Sequence, residues 1–331
     1  MQTETISVLG GGAWGTALAQ VQARHNQPVT LWARNAAAVH EINTQHTNAG
    51  YLPGFALHPK LTATTELAEA ANADIILMVA PAQQARAVAI QLRPLIGPHS
   101  VVVICAKGIE QQSGQLLGRV LDEELPGVAL AVLSGPGFAT DVARGLPAAL
   151  TLACNDETLG RALAERLSHP EFRLYWSSDT VGVELGGAVK NVLGIAAGIL
   201  DGKKLGGSAH AALVSRGFAE LRRLGEALGA RGETLMGLSG LGDLILTCGS
   251  AQSRNMSLGR ALGEGQPLAD ILSSRRAVTE GVYTAAAVKR LAREHGIEMP
   301  ICRAVSDILD GAVSVDGAIA GLLQRPLKAE D

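Results

Sequence analysis

Cysteine is scarce: four in 331 residues, Cys105, Cys154, Cys248 and Cys302, far apart and without metal-type or redox-type spacing. That excludes a disulfide scaffold and a thiolate metal cluster, and leaves four thiols expected to be reduced and structural. Excess positive charge is lacking too. A formal net charge of -3 gives no electrostatic footprint for nucleic acid. No apolar stretch of membrane-spanning length runs free of interruption, so no membrane insertion is expected. The opening Met1-Gln2-Thr3-Glu4-Thr5 has no cationic start followed by an apolar core, which points to a cytoplasmic protein. Internal repeats and low-complexity tracts are absent. What abounds is glycine. The 39 glycines exceed the usual share of about 7% and are spread through apolar segments, where they imply tight turns and close backbone approach.

The first half alternates short β-branched runs with helical stretches, the pattern of crossover units on a parallel sheet. Strands are expected over 6–9, 29–33, 75–79, 101–105 and 130–133, with 149–153 and 173–176 extending the sheet. Helices are expected over 13–25, 84–92, 115–123 and 157–167. After about Ser178 the strand signal disappears. From Ser208 the residues Val214, Phe218, Leu221, Leu224 and Leu228 recur at helical steps up to a stop at Gly229, and further helices fall over 256–262, 281–295, 302–309 and 316–323. Two domains follow: residues 1–180 binding a dinucleotide, and 181–331 all helical and carrying the substrate chemistry. Ligand clefts form at such seams.

After the first expected strand stands Gly10-Gly11-Gly12-Ala13-Trp14-Gly15, which leads directly into a helix. That context makes the glycine motif credible as a phosphate cradle. Gly10 permits the turn, Gly12 lets a pyrophosphate reach the backbone, Gly15 lets helix and strand pack, and the helix start faces the phosphates. The fold class is therefore α/β, a Rossmann-type doubly wound parallel sheet followed by an all-α domain. An NAD-selective site places an acid about 20 residues on. This chain reads Ala33-Arg34 there, which suits a 2′-phosphate and favours NADP(H) while tolerating NAD(H).

Lys190 stands in a glycine-rich apolar run whose only other strongly polar members are Glu184 and Asn191. A buried unpaired ammonium is costly enough to lose its proton, so this lysine is paired, reaches a cleft, or is tuned for proton transfer. On a helix it shares a face with Gly186, Gly187 and Gly194, a bare floor beside which a small molecule could lie. The alternative is that these glycines admit a neighbouring helix while the lysine snorkels outward. Further polar groups break apolar segments. Lys107 in Ala106-Lys107-Gly108 and the Ser134-Gly135-Pro136 turn follow strand ends, and Gly240-Leu241-Gly242-Asp243-Leu244 precedes Thr247. Ser253-Arg254-Asn255 reads as a capped helix start with an arginine, suited to phosphate or carboxylate.

Along nearly its whole length the chain resembles the bacterial NAD(P)-dependent glycerol-3-phosphate dehydrogenases. The likeness rests on Gly10 to Ala17, Ala106-Lys107-Gly108, Ser134-Gly135-Pro136, Gly186-Gly187-Ala188-Val189-Lys190-Asn191, the Gly240 to Leu244 motif, Ser253-Arg254-Asn255 and Glu280-Gly281. The resemblance implies interconversion of sn-glycerol 3-phosphate and dihydroxyacetone phosphate, serving glycerophospholipid synthesis. It implies cofactor contacts by Gly10, Gly12, Ala13, Trp14, Gly15, Arg34, Lys107, Ala139, Arg254, Val278 and Glu280. It implies substrate contacts by Lys107, Gly135, Lys190, Asp243, Thr247, Ser253, Arg254 and Asn255. In this chemistry Lys190 is the proton donor and acceptor, Lys107 stabilises charge on the substrate oxygen, and Asp243 orients a lysine. One position departs from the family: Gly137 stands where a serine or threonine is usual. The small-molecule substrate leaves no role for nucleic acid, and the apolar helices of the second half point to a homodimer.

Two other readings compete. Other two-domain hydroxyacid dehydrogenases also follow a nucleotide domain with a lysine- and asparagine-bearing helix, but space the two about a turn apart, whereas Lys190 and Asn191 are adjacent. A cofactor-sensing regulatory protein would keep the nucleotide fold without needing Lys190, Asp243 and Arg254 together.

Overall fold

The computed structural model describes residues 4–25, 27–275 and 278–326. The ends of the two expected domains, 1–3 and 327–331, lie outside the described residues, as does the Met1-Gln2-Thr3 part of the opening. The chain runs β1 (Ile6–Leu9), α1 (Ala13–Arg24), β2 (Val29–Trp32), α2 (Ala36–Gln45), β3 (Leu61–Thr64), α3 (Leu67–Ala71), β4 (Ile75–Met78), α4 (Ala85–Leu92), β5 (Val101–Ile104), α5 (Leu117–Glu124), β6 (Ala129–Ser134), α6 (Ala139–Arg144), β7 (Ala148–Ala153), α7 (Glu157–Leu167) and β8 (Phe172–Ser177). It is helical from there: α8 (Thr180–Gly202), α9 (Gly206–Ala227), α10 (Gly232–Met236), α11 (Asp243–Gly249), α12 (Arg254–Gly263), α13 (Leu268–Ser273), α14 (Glu280–Glu294), α15 (Pro300–Leu309) and α16 (Val315–Leu323).

The sheet has the order β3-β2-β1-β4-β5-β6-β7-β8. From β1 the chain builds outward to β2 and β3, then returns to pair β4 with the other side of β1, and that reversal opens a crevice at the carboxyl ends of β1 and β4. The inner strands are buried on both faces, as parallel strands between helical layers must be, and one apolar cluster lies on each side of the sheet. Two expectations need correction. The sheet is not parallel throughout, because β7 pairs antiparallel with β6 before β8 resumes parallel to β7. Leu61–Thr64 forms an edge strand that its short, polar sequence does not announce.

Helix α8 also corrects the expectation about long apolar segments. It is long and apolar enough to cross a membrane, yet 94% of its most apolar window is buried inside the protein. Its flanks are α9, α11, α12 and α14, so the apolar side chains face protein all round and form the centre of the second core. The glycines on this helix serve that packing. A Cβ at Gly198 would lie 2.0 Å from the Met256 carbonyl oxygen, and one at Gly259 on α12 would lie 2.0 Å from the Ile195 carbonyl oxygen. The two helix backbones therefore touch, and only hydrogen fits between them.

Candidate active site

The glycine loop continues β1 through a hydrogen bond from the Gly10 N–H to the Trp32 carbonyl. Gly10 has φ +131°, and a Cβ there would meet Val79 at the end of β4 at 2.9 Å; a Cβ at Gly15 would come within 1.9 Å of the Gly10 oxygen. Gly12 differs. It is the N-cap of α1, has nothing within 4 Å of its Cβ position, offers no side-chain cap, and no acid stands in the first turn. Free helix N–H donors facing open space suit a pyrophosphate. Nearby, the Trp14 indole nitrogen and the Glu280 Oε2 are buried without hydrogen-bond partners among the described residues. These unpartnered polar atoms and the open helix start fit a dinucleotide laid across the carboxyl edge. Arg34 is exposed just past β2, next to Ala33, whose Cβ lies 2.5 Å from where a Gly11 Cβ would stand. The chain leaves β2 as Ala33-Arg34-Asn35, with no carboxylate among these residues.

The reacting end is assembled from both halves of the chain. Lys107 follows β5, and its Nζ donates to the Gly135 carbonyl at 2.7 Å and to Asp243 Oδ2 at 2.7 Å, 5.7 Å from the Trp14 ring centroid. Lys190 Nζ donates to the other carboxylate oxygen, Asp243 Oδ1, at 2.6 Å and to Thr247 Oγ1 at 2.8 Å. Asp243, 1% exposed, thus bridges two lysines. It begins α11 directly after a π-helical turn, Leu238–Gly242, which brings the Ser239 and Gly240 backbone against Gly186 of α8. Burial lowers the Lys190 pKa to about 8; the Asp243 charge opposes this and the Lys107 charge adds to it. An ammonium that titrates near neutrality can give or take a proton in turnover. Cys248 beside it is pushed up to about 12 by burial and is an inert thiol.

Of the two sequence-level readings of this helix, each is half right. Lys190 points into the site and does not snorkel, but Gly186, Gly187 and Gly194 are not a bare floor. Their Cβ positions are filled by the Ser239–Gly240 backbone, by Ser134 Oγ, and by Thr247 with Asn255 respectively. They bring the site-bearing segments against α8.

Ser253 caps α12 as expected, accepting the Met256 N–H at 3.2 Å. Arg254 sends Nη1 to the Val278 carbonyl at 2.9 Å, which joins the two residues expected at the cofactor. Glu280 accepts the Ala82 N–H through Oε1 at 3.1 Å, and burial raises its pKa. Ala139 opens α6, partly buried against the nucleotide core. Gly135, at φ +146°, sits with its Cβ position 2.8 Å from the Leu150 Cα of β7, so this turn requires glycine. At Gly137 a side chain would make ordinary contacts, 3.4 Å to the Trp14 ring and 3.5 Å to Val142, so sterics do not explain the absent hydroxyl.

From the sequence Asn255 is expected at the substrate, while Asn191 and Glu184 have no assigned role. Both polar atoms of the Asn255 amide are engaged inside the protein: Nδ2 donates to Asn191 Oδ1 at 2.8 Å, and Oδ1 accepts the Gly281 N–H at 3.1 Å. Asn191 Nδ2 in turn donates to the Lys107 carbonyl at 2.9 Å. Glu184 accepts the Gly118 N–H at 2.7 Å, which satisfies the uncapped start of α5. The only sequence signal for either was a polar residue inside an apolar run.

A phosphate cradle on a doubly wound sheet, joined at its carboxyl edge to helices that deliver a buried lysine–carboxylate array, defines a two-domain dinucleotide-dependent dehydrogenase. Residues 5–160 match the model of the NAD-dependent glycerol-3-phosphate dehydrogenase N-terminus, and residues 179–320 that of its C-terminus. The chain belongs to the NAD-dependent glycerol-3-phosphate dehydrogenase family. It is 60% identical over 98% of both chains to the glycerol-3-phosphate dehydrogenase [NAD(P)+] of Parvibaculum lavamentivorans, and 57% identical over the full length of both to that of Caulobacter vibrioides. The crystal structure of the Coxiella burnetii glycerol-3-phosphate dehydrogenase superposes with a TM-score of 0.94 at 41% identity, covering 98% of this chain and 99% of that one.

Proposed function

We propose that the protein interconverts dihydroxyacetone phosphate and sn-glycerol 3-phosphate, using NADP(H) in preference to NAD(H), and so supplies the backbone of glycerophospholipids. The observation that carries this reading is the Lys107–Asp243–Lys190 array beside the capped start of α12. The nicotinamide cofactor, when bound, supplies or accepts the hydride. Lys190 as an ammonium gives its proton to the oxygen of the carbonyl being reduced; as a neutral amine it takes that proton back in the oxidising direction. Lys107 holds positive charge toward the same oxygen, and Asp243 fixes both ammonium groups. Arg254 and the free N–H groups at the α12 start bind the phosphate, with Ser253 shaping that start. Residues 1–180 and 181–331 divide these tasks as nucleotide and substrate domains. Four buried, unpaired thiols support a reducing cytoplasm, and the apolar helices of the second half, with Leu323 81% exposed, support a homodimer.

A panel of dihydroxyacetone phosphate and several keto acids, each run with NADH and NADPH, tests substrate and cofactor together. Oxidation of the cofactor is expected with dihydroxyacetone phosphate alone, and turnover only with a keto acid overturns the reading. Cofactor choice rests on Arg34, exposed just past β2, where the chain places Ala33 and Arg34 in the position an acid would take to bind ribose hydroxyls. Arg34→Ala is expected to raise the KM for NADPH about tenfold, equivalent to ~1.4 kcal/mol, and to leave that for NADH unchanged. Equal changes for the two cofactors would dismiss the role of Arg34.

A further inference from the structure

A directed line of amides runs beneath the two lysines. The Gly281 N–H, second residue of α14, donates to Asn255 Oδ1; Asn255 Nδ2 donates to Asn191 Oδ1; and Asn191 Nδ2 donates to the Lys107 carbonyl, with a second, longer bond to Gly187 O at 3.3 Å. Both asparagines are buried, at 5% and 8% exposure. The backbone N–H at the start of the line can only donate, so it dictates which way each amide faces. Gly281 has to be glycine, because a Cβ there would sit 2.7 Å from both the Asn191 backbone carbonyl oxygen and Asn255 Oδ1. The line joins four segments that approach one another only in the folded chain: the loop after β5, the middle of α8, the first turn of α12 and the first turn of α14.

We propose that Asn191, oriented through Asn255, is a positioning residue that holds the Lys107 backbone so that the Lys107 ammonium stays on Asp243. It acts through Lys107 and does not touch the reacting atoms. The consequence reaches Lys190. Asp243 divides its two oxygens between the lysines, so a Lys107 that drifts leaves the carboxylate to Lys190 alone. Among the described residues, the charged and titratable groups facing Lys190 are Asp243 and Cys248 from α11 and Lys107 from the loop after β5. Losing the Lys107 charge removes an influence that lowers the Lys190 pKa and leaves one that raises it. The amine then becomes available as a base only at higher pH.

The inference rests on Lys190 being the base, and the test separates the two. The turnover of sn-glycerol 3-phosphate oxidation would be followed against pH for the full-length enzyme, Asn191→Asp, Asn191→Leu, Asn255→Asp and Lys190→Ala, with a thermal melt of each. Asn191→Asp keeps the acceptor for Asn255 but loses the donor to Lys107, and Asn255→Asp keeps the acceptor for Gly281 but loses the donor to Asn191. The rising limb is expected to move up by about one pH unit in all three asparagine variants, a tenfold change in the protonation equilibrium, with the KM for the cofactor little changed. Asn191→Leu gives the same readout should a carboxylate at 191 pair with a neighbouring ammonium. A role confined to stability would lower the melting temperature and leave the limb where it is, and that outcome overturns the proposal. Normal turnover by Lys190→Ala would instead remove the reading on which the proposal rests.

Discussion

Lys190→Ala is expected to lose turnover by about 10²–10⁴-fold, the range for removing a positioned acid–base group, with the affinity for the cofactor nearly intact. The side chain lies at the reacting end, bonded to Asp243 and Thr247, and none of its polar contacts reaches the glycine loop where the dinucleotide is held. Its titration gives the wild-type enzyme a signature. With a pKa near 8, the neutral base needed for oxidation accumulates as pH rises through that value, so the oxidative rate climbs to a plateau above it. The ammonium needed for reduction is depleted over the same range, so the reductive rate falls. Steady-state kinetics in both directions, with cofactor binding measured by fluorescence, check the prediction. Normal turnover in the variant, or limbs that move the same way in both directions, would sink it.

Asp243→Asn carries the second large effect, with the opposite sign on the limb to that of the asparagine variants. The carboxylate compensates two ammonium groups in a site where Lys190 is 8% and Asp243 1% exposed. Removing one partner of a buried pair costs about 3–5 kcal/mol, and here the strain is relieved by Lys190 giving up its proton. Burial and Lys107 continue to depress the Lys190 pKa while the charge that raised it is gone, so the limb is expected to move below pH 8. The reductive turnover at neutral pH should drop about 10²-fold or more, since preorganised charge and acid are lost together. Circular dichroism melts and a pH series of the reductive rate measure both parts. An unmoved limb would show that Asp243 does not set the lysine's charge.

Much of the nucleotide half was legible because its signals are local. The short β-branched runs of β1, β4 and β5 read as strands of a parallel sheet, and the glycine motif lies between a strand and a helix. The edge strand Leu61–Thr64 stayed hidden because Leu-Thr-Ala-Thr carries little hydrophobic pattern and its partner β2 lies 32 residues earlier. The reversal at β7 was invisible for a related reason: strand direction is set by how the chain crosses at α6, not by the composition of the strand. Within the site, lysines and a carboxylate could be nominated from type and context alone. The glycine floor was misjudged because a bare helical face looks the same whether a ligand or a backbone covers it, and here backbone and side chains do. Asn191 was unreadable because its partners lie 84 and 64 residues away in sequence.

Helix α8 poses a problem during synthesis that the finished molecule conceals. It is complete at Gly202, whereas α12 ends at Gly263 and α14 at Glu294, 61 and 92 residues later. At about 5–20 residues per second, the growing chain carries a membrane-compatible helix without two of its main covers for roughly 3–18 seconds. Glu184, Lys190 and Asn191 are then more than pieces of a site. Spaced along a helix long and apolar enough to cross a membrane, they are polar marks that weigh against its insertion into lipid while it waits for the rest of its domain.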